Sequence, residues 1–474
     1  MESRNAETAP PPARLPLGAK LGYASGDLGM NIFWQGISLF LFFFYTDVMG
    51  IPAWWAGFTI FIASVWDGIT DPIMGGIADR TRTRMGRYRP YLLYGAPILG
   101  VGFIVTFYAP EGLSQGALIA YALVTHLILR TLYTVVGIPY SSLSARMTSD
   151  SAERGTLAGW RMQGAALGGL TTAFSTPLIV QQFVRLSGGD PQLGWLYAAV
   201  AMAVVATLIL WLCFSGTREP AEAPDAPAPT GGFGLSDFVT AGKMLARNGP
   251  LVRVFLCITM ASLCLAMMSK TLIYWFKYAI GSEEAASLAL ALTPLVLLVM
   301  APVWAMVAGR ISKRKAWIAG CAIALTGYLA FFILPMRDAV SVYLGVAFIA
   351  VGSSSFAVMF WAMLPDTVEY DQWVSGERHE AKVFGFASFA QKAALGLNAF
   401  LLGILLDAIG FVPNADQTAE TLWGMKAIMS LIPAVGVVAT LVALWGYPID
   451  TAYHGTLRRK ISERAAASAE QALK

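Results

Sequence analysis

The chain has 474 residues, of which 56% are hydrophobic and only 13% charged. Soluble domains carry about 25% charged residues, so a soluble globular fold is excluded, and the 46 glycines and 24 prolines suit a polytopic membrane protein. The formal net charge of +4 says little by itself; neither a nucleic-acid partner nor an enzyme is indicated, since there are only three histidines and no HExxH, GxSxG or phosphate-binding glycine loop.

From Met1 to Pro16 the chain is polar and proline-rich and lacks a basic-then-apolar signal pattern, so residues 1–20 read as a cytoplasmic tail. Apolar stretches of about 20 residues, each enough for one membrane crossing, follow at 21–46, 53–78, 91–109, 116–144, 156–182 and 194–214. Residues 215–250 hold the run PAEAPDAPAPTGG, from Pro220 to Gly232, which cannot span and reads as a flexible cytoplasmic linker. Six further stretches lie at 251–280, 286–309, 316–335, 340–364, 383–410 and 422–447, before a polar tail at 448–474. Cys213, Cys257, Cys264 and Cys321 fall within apolar runs without CxxC spacing and read as small core residues. The expected fold class is an all-α membrane protein: twelve transmembrane helices in two six-helix bundles, 21–214 and 251–447.

Arg80, Arg82, Arg84, Arg87 and Arg89 crowd the loop after the second stretch. Arg310, Lys313, Arg314 and Lys315 occupy the corresponding loop of the second half, and Arg458, Arg459 and Lys460 follow the last stretch. The alternate loops are poor in Lys and Arg, so the positive-inside rule puts both termini and the linker in the cytoplasm. The matching clusters imply two related halves.

The second stretch contains Trp66-Asp67-Gly68-Ile69-Thr70-Asp71-Pro72. A charge at membrane depth is costly unless it faces protein, water or a partner ion. Asp67 and Asp71 are one turn apart on one helix face. A bound cation relieves their repulsion, so the pair reads as a site for Na⁺ or H⁺.

In the fourth stretch Arg130, Thr134, Gly137 and Ser141 share a face at about 100° per residue, with His126 one turn outward. Arg130 lies near mid-span and is expected to face the interior at the depth of Asp67. Two readings stay open for it: contact with a substrate, or a buried ion pair with an acid of the second helix or with Asp27. Arg161, Lys270 and Lys392 are the other basic groups at membrane depth, whereas Lys277 reads as snorkelling from the outer end of its helix. His126 reads as a hydrogen-bonded interior histidine. Trp34, Trp160 and Trp361 are candidate ring faces for a sugar, although aromatic residues in spans more often pack.

The segment GGIADRTRTRMGRYRP, Gly75 to Pro90, resembles the loop motif of the major facilitator superfamily. WDGITDPIMG (Trp66 to Gly75), FFFYTDVMGIP (Phe42 to Pro52), YTVVGIPY (Tyr133 to Tyr140), YWFKYAIG (Tyr274 to Gly281) and PDTVEYDQWVSGERHEA (Pro365 to Ala381) resemble, in register, the glycoside–pentoside–hexuronide:cation symporters, the melibiose permease family. That resemblance implies cation-coupled uptake of a glycoside-like solute by alternating access in a bacterial inner (plasma) membrane. It implies a cation site at Asp67 and Asp71, completed by Thr70 and Thr134. Family sugar-binding positions map to Asn31, Gly137, Ser141, Arg161 and Lys392. The acids at two of them are missing here, replaced by Asn31 and Gly137. With those two acids lost and Arg130 gained, the site, for which Lys270 and Asp27 are further candidates, is more basic than a galactoside site, which favours an acidic, hexuronide-type solute. The resemblance also implies a cytoplasmic gate in which Asp79, Arg80 and Arg84 meet Asp366 and Glu369 as ion pairs. No cofactor is expected beyond the coupling ion; the partners are the solute, a monovalent cation and the bilayer, with the monomer as functional unit. The competing expectation is a cation-coupled carrier of lysolipids or other amphiphilic anions.

Overall fold

The computed structural model of the protein describes residues 15–148, 150–219, 242, 247–376, 380–449 and 451–472. The Pro220–Gly232 run, His379 and most of the N-terminal tail lie outside them. The described residues form helices and no strand. In chain order they are α1 Leu17–Val48, α2 Ala53–Arg80, α3 Tyr91–Thr106, α4 Gln115–Met147, α5 Ser151–Leu186 and α6 Pro191–Gly216. After the break come α7 Gly249–Ile280, α8 Ala286–Ile311, α9 Lys313–Ile333, α10 Ala339–Ser375, α11 Glu380–Ala408, α12 Ala419–Trp445 and the terminal α13 Thr451–Ala472. Among the described residues nine of these are long and apolar enough to cross a membrane, and α3 is a shorter apolar helix. Neither α2 nor α5 is among the nine; α2 carries Asp67 and Asp71, and α5 carries Arg161.

Side-chain caps fix many of the helix starts. Ser114, Asp190, Asn248, Ser312, Asp338 and Thr418 each accept a hydrogen bond from a first-turn amide. Ser312 alone separates α8 from α9 and pays for that tight joint with a φ of 134°. The tenth helix departs from expectation. It does not stop before Pro365 but continues to Ser375, where Gly376 turns the chain at φ 83°. Asp366, Thr367, Val368 and Asp371 are all buried in this extension. Their packing outweighs the hydrogen bond that the proline removes.

The two halves pack by the same rules. In the first, α1 contacts α5 and α6, α2 contacts α4, and α3 contacts α4 and α6. In the second, α7 contacts α11 and α12, α8 contacts α10, and α9 contacts α10 and α12. The halves meet along two equivalent seams, α2 with α11 and α5 with α8. The first seam depends on glycine. A Cβ on Gly57 would lie 2.8 Å from the Cα of Phe400, and one on Gly403 would lie 3.1 Å from the Cα of Trp54. Only small residues let membrane helices approach this closely.

The arginine-rich loop folds around an acid from elsewhere. Glu219, just beyond α6, accepts from the amides of Arg87, Tyr88 and Arg89 at 2.7, 2.8 and 2.8 Å. Arg89 donates to the carbonyl of Phe214 at 2.9 Å and lies over its ring. One carboxylate thus satisfies three amides at the start of α3. Replacing it leaves buried donors unpaired, at about 1–3 kcal/mol each. Glu219→Ala is therefore expected to lower the thermal unfolding midpoint in detergent; an unchanged midpoint would mean the clasp carries no stability.

Candidate functional site

The α2–α11 seam and the neighbouring α4 bring four charges together. Arg130 of α4 pairs with Asp67 at 2.5 Å, and both side chains are almost wholly buried. Lys392 of α11 pairs with Asp71 at 2.5 Å and stands 3.7 Å from Asp67. Thr134 donates to Asp71 at 2.8 Å. Two carboxylates and two cations balance. Charge balance is not full bonding, however: neither oxygen of Asp67 receives a well-aligned hydrogen bond despite the short ion pair. Pro72 follows Asp71 and has no amide to give to the carbonyl of Gly68. Thr70 donates to the carbonyl of Trp66 within its own helix and forms no hydrogen bond with either acid among the described residues.

Arg130 therefore sits on Asp67, the ion-pair reading of the two left open, and its guanidinium also covers the ring of Trp34 at 4.8 Å. Beside the cluster, between the halves, is a cavity of about 190 Å³ whose wall includes Trp34, His126, Arg130, Lys270 and Lys392. His126 is buried and neither ring nitrogen has a partner, so the expected interior hydrogen bond is missing.

The remaining substrate candidates form a second group towards the arginine-loop end of the first half. Arg161 pairs with Asp27 through Nε at 2.6 Å and Nη2 at 3.4 Å, and its guanidinium lies over Tyr140. Asn31 donates to the carbonyl of Asp27 at 2.9 Å. Gly137 faces Met30, and Ser141 is exposed. Trp361 stacks on Phe384.

The structure does not join the five gate residues. Asp79 accepts from Tyr88 at 2.7 Å, and burial with this bond raises the Tyr88 hydroxyl above its ordinary range. Asp366 pairs with Lys313 at 2.8 Å, and Glu369 with His454 of α13 at 2.8 Å. Arg80 and Arg84 form no ion pair among the described residues. Each acid has found a partner in its own half, so the expected cross-half pairs are absent from this conformation.

The halves are instead locked at the opposite end, which the sequence reading missed. Both α1 and α7 end in a π-helical turn, Phe44–Val48 and Phe276–Ile280. Such turns redirect side chains, and these aim Asp47 and Lys277 at each other, 2.7 Å apart. Lys277 is not snorkelling; its ammonium also donates to Asn414 at 2.7 Å, and Asn414 donates back to the carbonyl of Asp47 at 2.7 Å. Tyr278 donates to Asp47 as well. Thr46 and Tyr274 share a hydrogen bond of 2.6 Å beneath them. At the rim Gln181 donates to Glu283 at 3.0 Å, and Arg185 pairs with Glu284. The signal for this latch was in the two motifs containing Asp47 and Lys277, but their separation in the chain hid the pairing.

Removing one member of a buried pair costs about 3–5 kcal/mol. Lys277→Met is therefore expected to open this end, so that a cysteine placed at Phe43 gains reactivity towards a membrane-impermeant thiol reagent; equal labelling in both backgrounds would refute the latch. Its strength should also follow pH. Burial pushes the Glu283 carboxyl above its ordinary value, against the pull of Lys277. Closing then favours a protonated Glu283, so closure weakens as pH rises through the range just above the ordinary glutamate value. Glu283→Gln should flatten that dependence in the same labelling assay.

Residues 22–451 match the family described as MFS/sugar transport protein. The isoprimeverose transporter of Lactiplantibacillus pentosus is 30% identical over 442 residues, 92% of this chain and 89% of that one. The glucuronide carrier protein homolog of Escherichia coli is 27% identical over 435 residues, 90% of this chain and 92% of that one. A solved bacterial homolog of the lysosomal transporter Spinster shares the fold, with a TM-score of 0.65 at 13% identity over 94% of this chain and 97% of that one. This is a multi-pass plasma-membrane transporter and not an enzyme. The chain belongs to the MFS/sugar transport family, in the glycoside–pentoside–hexuronide:cation symporter branch of the major facilitator superfamily.

Proposed function

We propose that the chain imports an acidic, hexuronide-type sugar solute together with Na⁺ or H⁺, through twelve spanning helices with both termini in the cytoplasm. The observation that carries this reading is the cluster of Asp67, Asp71, Arg130 and Lys392 in the seam between the halves. An acid pair at membrane depth is expensive unless it does work, and Asp67 is both buried and poorly hydrogen-bonded. A cation or proton arriving there satisfies it and loosens the ion pairs that tie α2 to α4 and α11. In this orientation the arginine-rich loop faces the cytoplasm and the Asp47–Lys277 latch closes the outer face, so the two faces open in turn. The relatives named for isoprimeverose and glucuronide support a sugar-like cargo.

Asp71 is the half-exposed acid, tied to Lys392 and Thr134. Asp71→Asn in proteoliposomes should abolish accumulation driven by a Na⁺ or H⁺ gradient, while exchange of labelled for unlabelled solute persists. A membrane potential of −100 mV gives about 2.3 kcal/mol per charge entering, which corresponds to about fortyfold accumulation of a neutral solute with one cation; a monoanion with one cation moves no net charge and relies on the ion gradient alone. Concentrative uptake that survives both Asp67→Asn and Asp71→Asn, or that ignores collapse of both ion gradients, would overturn symport.

A further inference from the structure

We propose that Lys270 is the residue that reads the charge of the solute, and that it selects a sugar acid carrying a single negative charge. This rests on the sugar-transport reading above. The argument begins with charge in the cavity wall. Asp67 is matched by Arg130 and Asp71 by Lys392. Lys270, on α7, lines the same cavity and is left over. It is 7% exposed, and among the described residues the one hydrogen bond of its ammonium is to the carbonyl of Leu395, at 3.5 Å the outer limit of such a bond. No carboxylate among the described residues stands within ion-pair reach of it.

A buried ammonium without a partner is unfavourable in a medium of low polarity. Structural lysines at such depth are paired; this one is held open beside a cavity. Next to it in the wall is His126, 1% exposed, with both ring nitrogens unpartnered. An imidazole can donate to one ligand oxygen while the ammonium neutralises another. The wall therefore offers one amine without a counter-ion, which an arriving anion would hold in its charged form, and one unused hydrogen-bonding ring. A carboxylate or sulfonate on a sugar-sized body fits both, and a neutral sugar leaves the charge unmet. Arg130 does not fill this role, because its guanidinium is held between Asp67 and Trp34.

The test uses the purified full chain and two probes of the same shape, the methyl glycoside of a hexuronic acid and that of the corresponding hexose, with binding followed by calorimetry. The wild type should prefer the acid. Lys270→Met should weaken binding of the acid about tenfold to hundredfold, the range for a hydrogen bond to a charged group, and leave the neutral probe unchanged or tighter; Lys270→Arg should retain the preference. Thermal unfolding without ligand gives an independent readout. Removing an unpaired buried charge should raise the midpoint of Lys270→Met, whereas a structural lysine would lower it. Glycoside binding whose acid-to-neutral ratio ignores Lys270→Met, or a fall in the midpoint, overturns the proposal and leaves the transport reading standing. No binding of either glycoside by the wild type overturns the sugar reading and this proposal with it.

Discussion

Two carboxylates in an apolar helix set the terms for the rest of this molecule. Asp67 and Asp71 cannot be left uncompensated at membrane depth, and the fold meets that demand with a guanidinium from α4 and an ammonium from α11. The compensating charges come from both halves, so the acids are also what the halves share. This explains why the seam between α2 and α11 is drawn so tight, and why α2 is too polar to read as an ordinary membrane helix. It also gives Thr134 a reason to be where it is, as a neutral donor to the more accessible acid.

The same logic recurs at the two ends with opposite results. At the arginine-loop end three acids are satisfied locally: Asp79 by Tyr88, Asp366 by Lys313, Glu369 by His454. At the other end they are satisfied across the halves: Asp47 by Lys277 and Tyr278, Glu283 by Gln181. A polar group that finds its partner within one half exerts no hold on the other. The distribution of partners is thus what makes one end shut in this conformation, independently of any count of charges.

Much of this was legible in the sequence, and the limits are physical. The helices show as apolar runs because burial in lipid demands them, and Asp67 and Asp71 show because they break such a run at a one-turn spacing. Arg130 could be placed facing the interior for the same reason. Its partner could not be fixed, because Asp67, Asp71, Asp27 and a solute were all open as counter-charges until the packing of α2 on α4 was known. The apolar stretch at 340–364 showed only part of α10, because the extension to Ser375 is polar in sequence and is held by burial of Asp366 and Asp371. The gate residues were grouped by the family resemblance; the partner of Asp366, Lys313, lies in a visible basic cluster, whereas Tyr88 and His454, the partners of Asp79 and Glu369, lie outside any charge pattern. Glu219 stood unremarked beside the linker, and nothing in its neighbours announces that it caps a loop more than a hundred residues earlier.

The glycines of the α2–α11 seam have a mechanical consequence. At Gly57 and Gly403 backbone rests on backbone, while Trp54, Phe58 and Phe61 bring their rings against Phe400 beside the contact. Backbone contact this close lets the seam act as a bearing about which the halves can turn without parting. The latch at the far end behaves as a catch, concentrated in a few strong polar contacts that are made or broken together. A molecule with a close bearing and a sharp catch changes position when the catch lets go. Roughening the bearing, by putting a methyl group where Gly57 now touches Phe400, would slow the motion without touching a single charge.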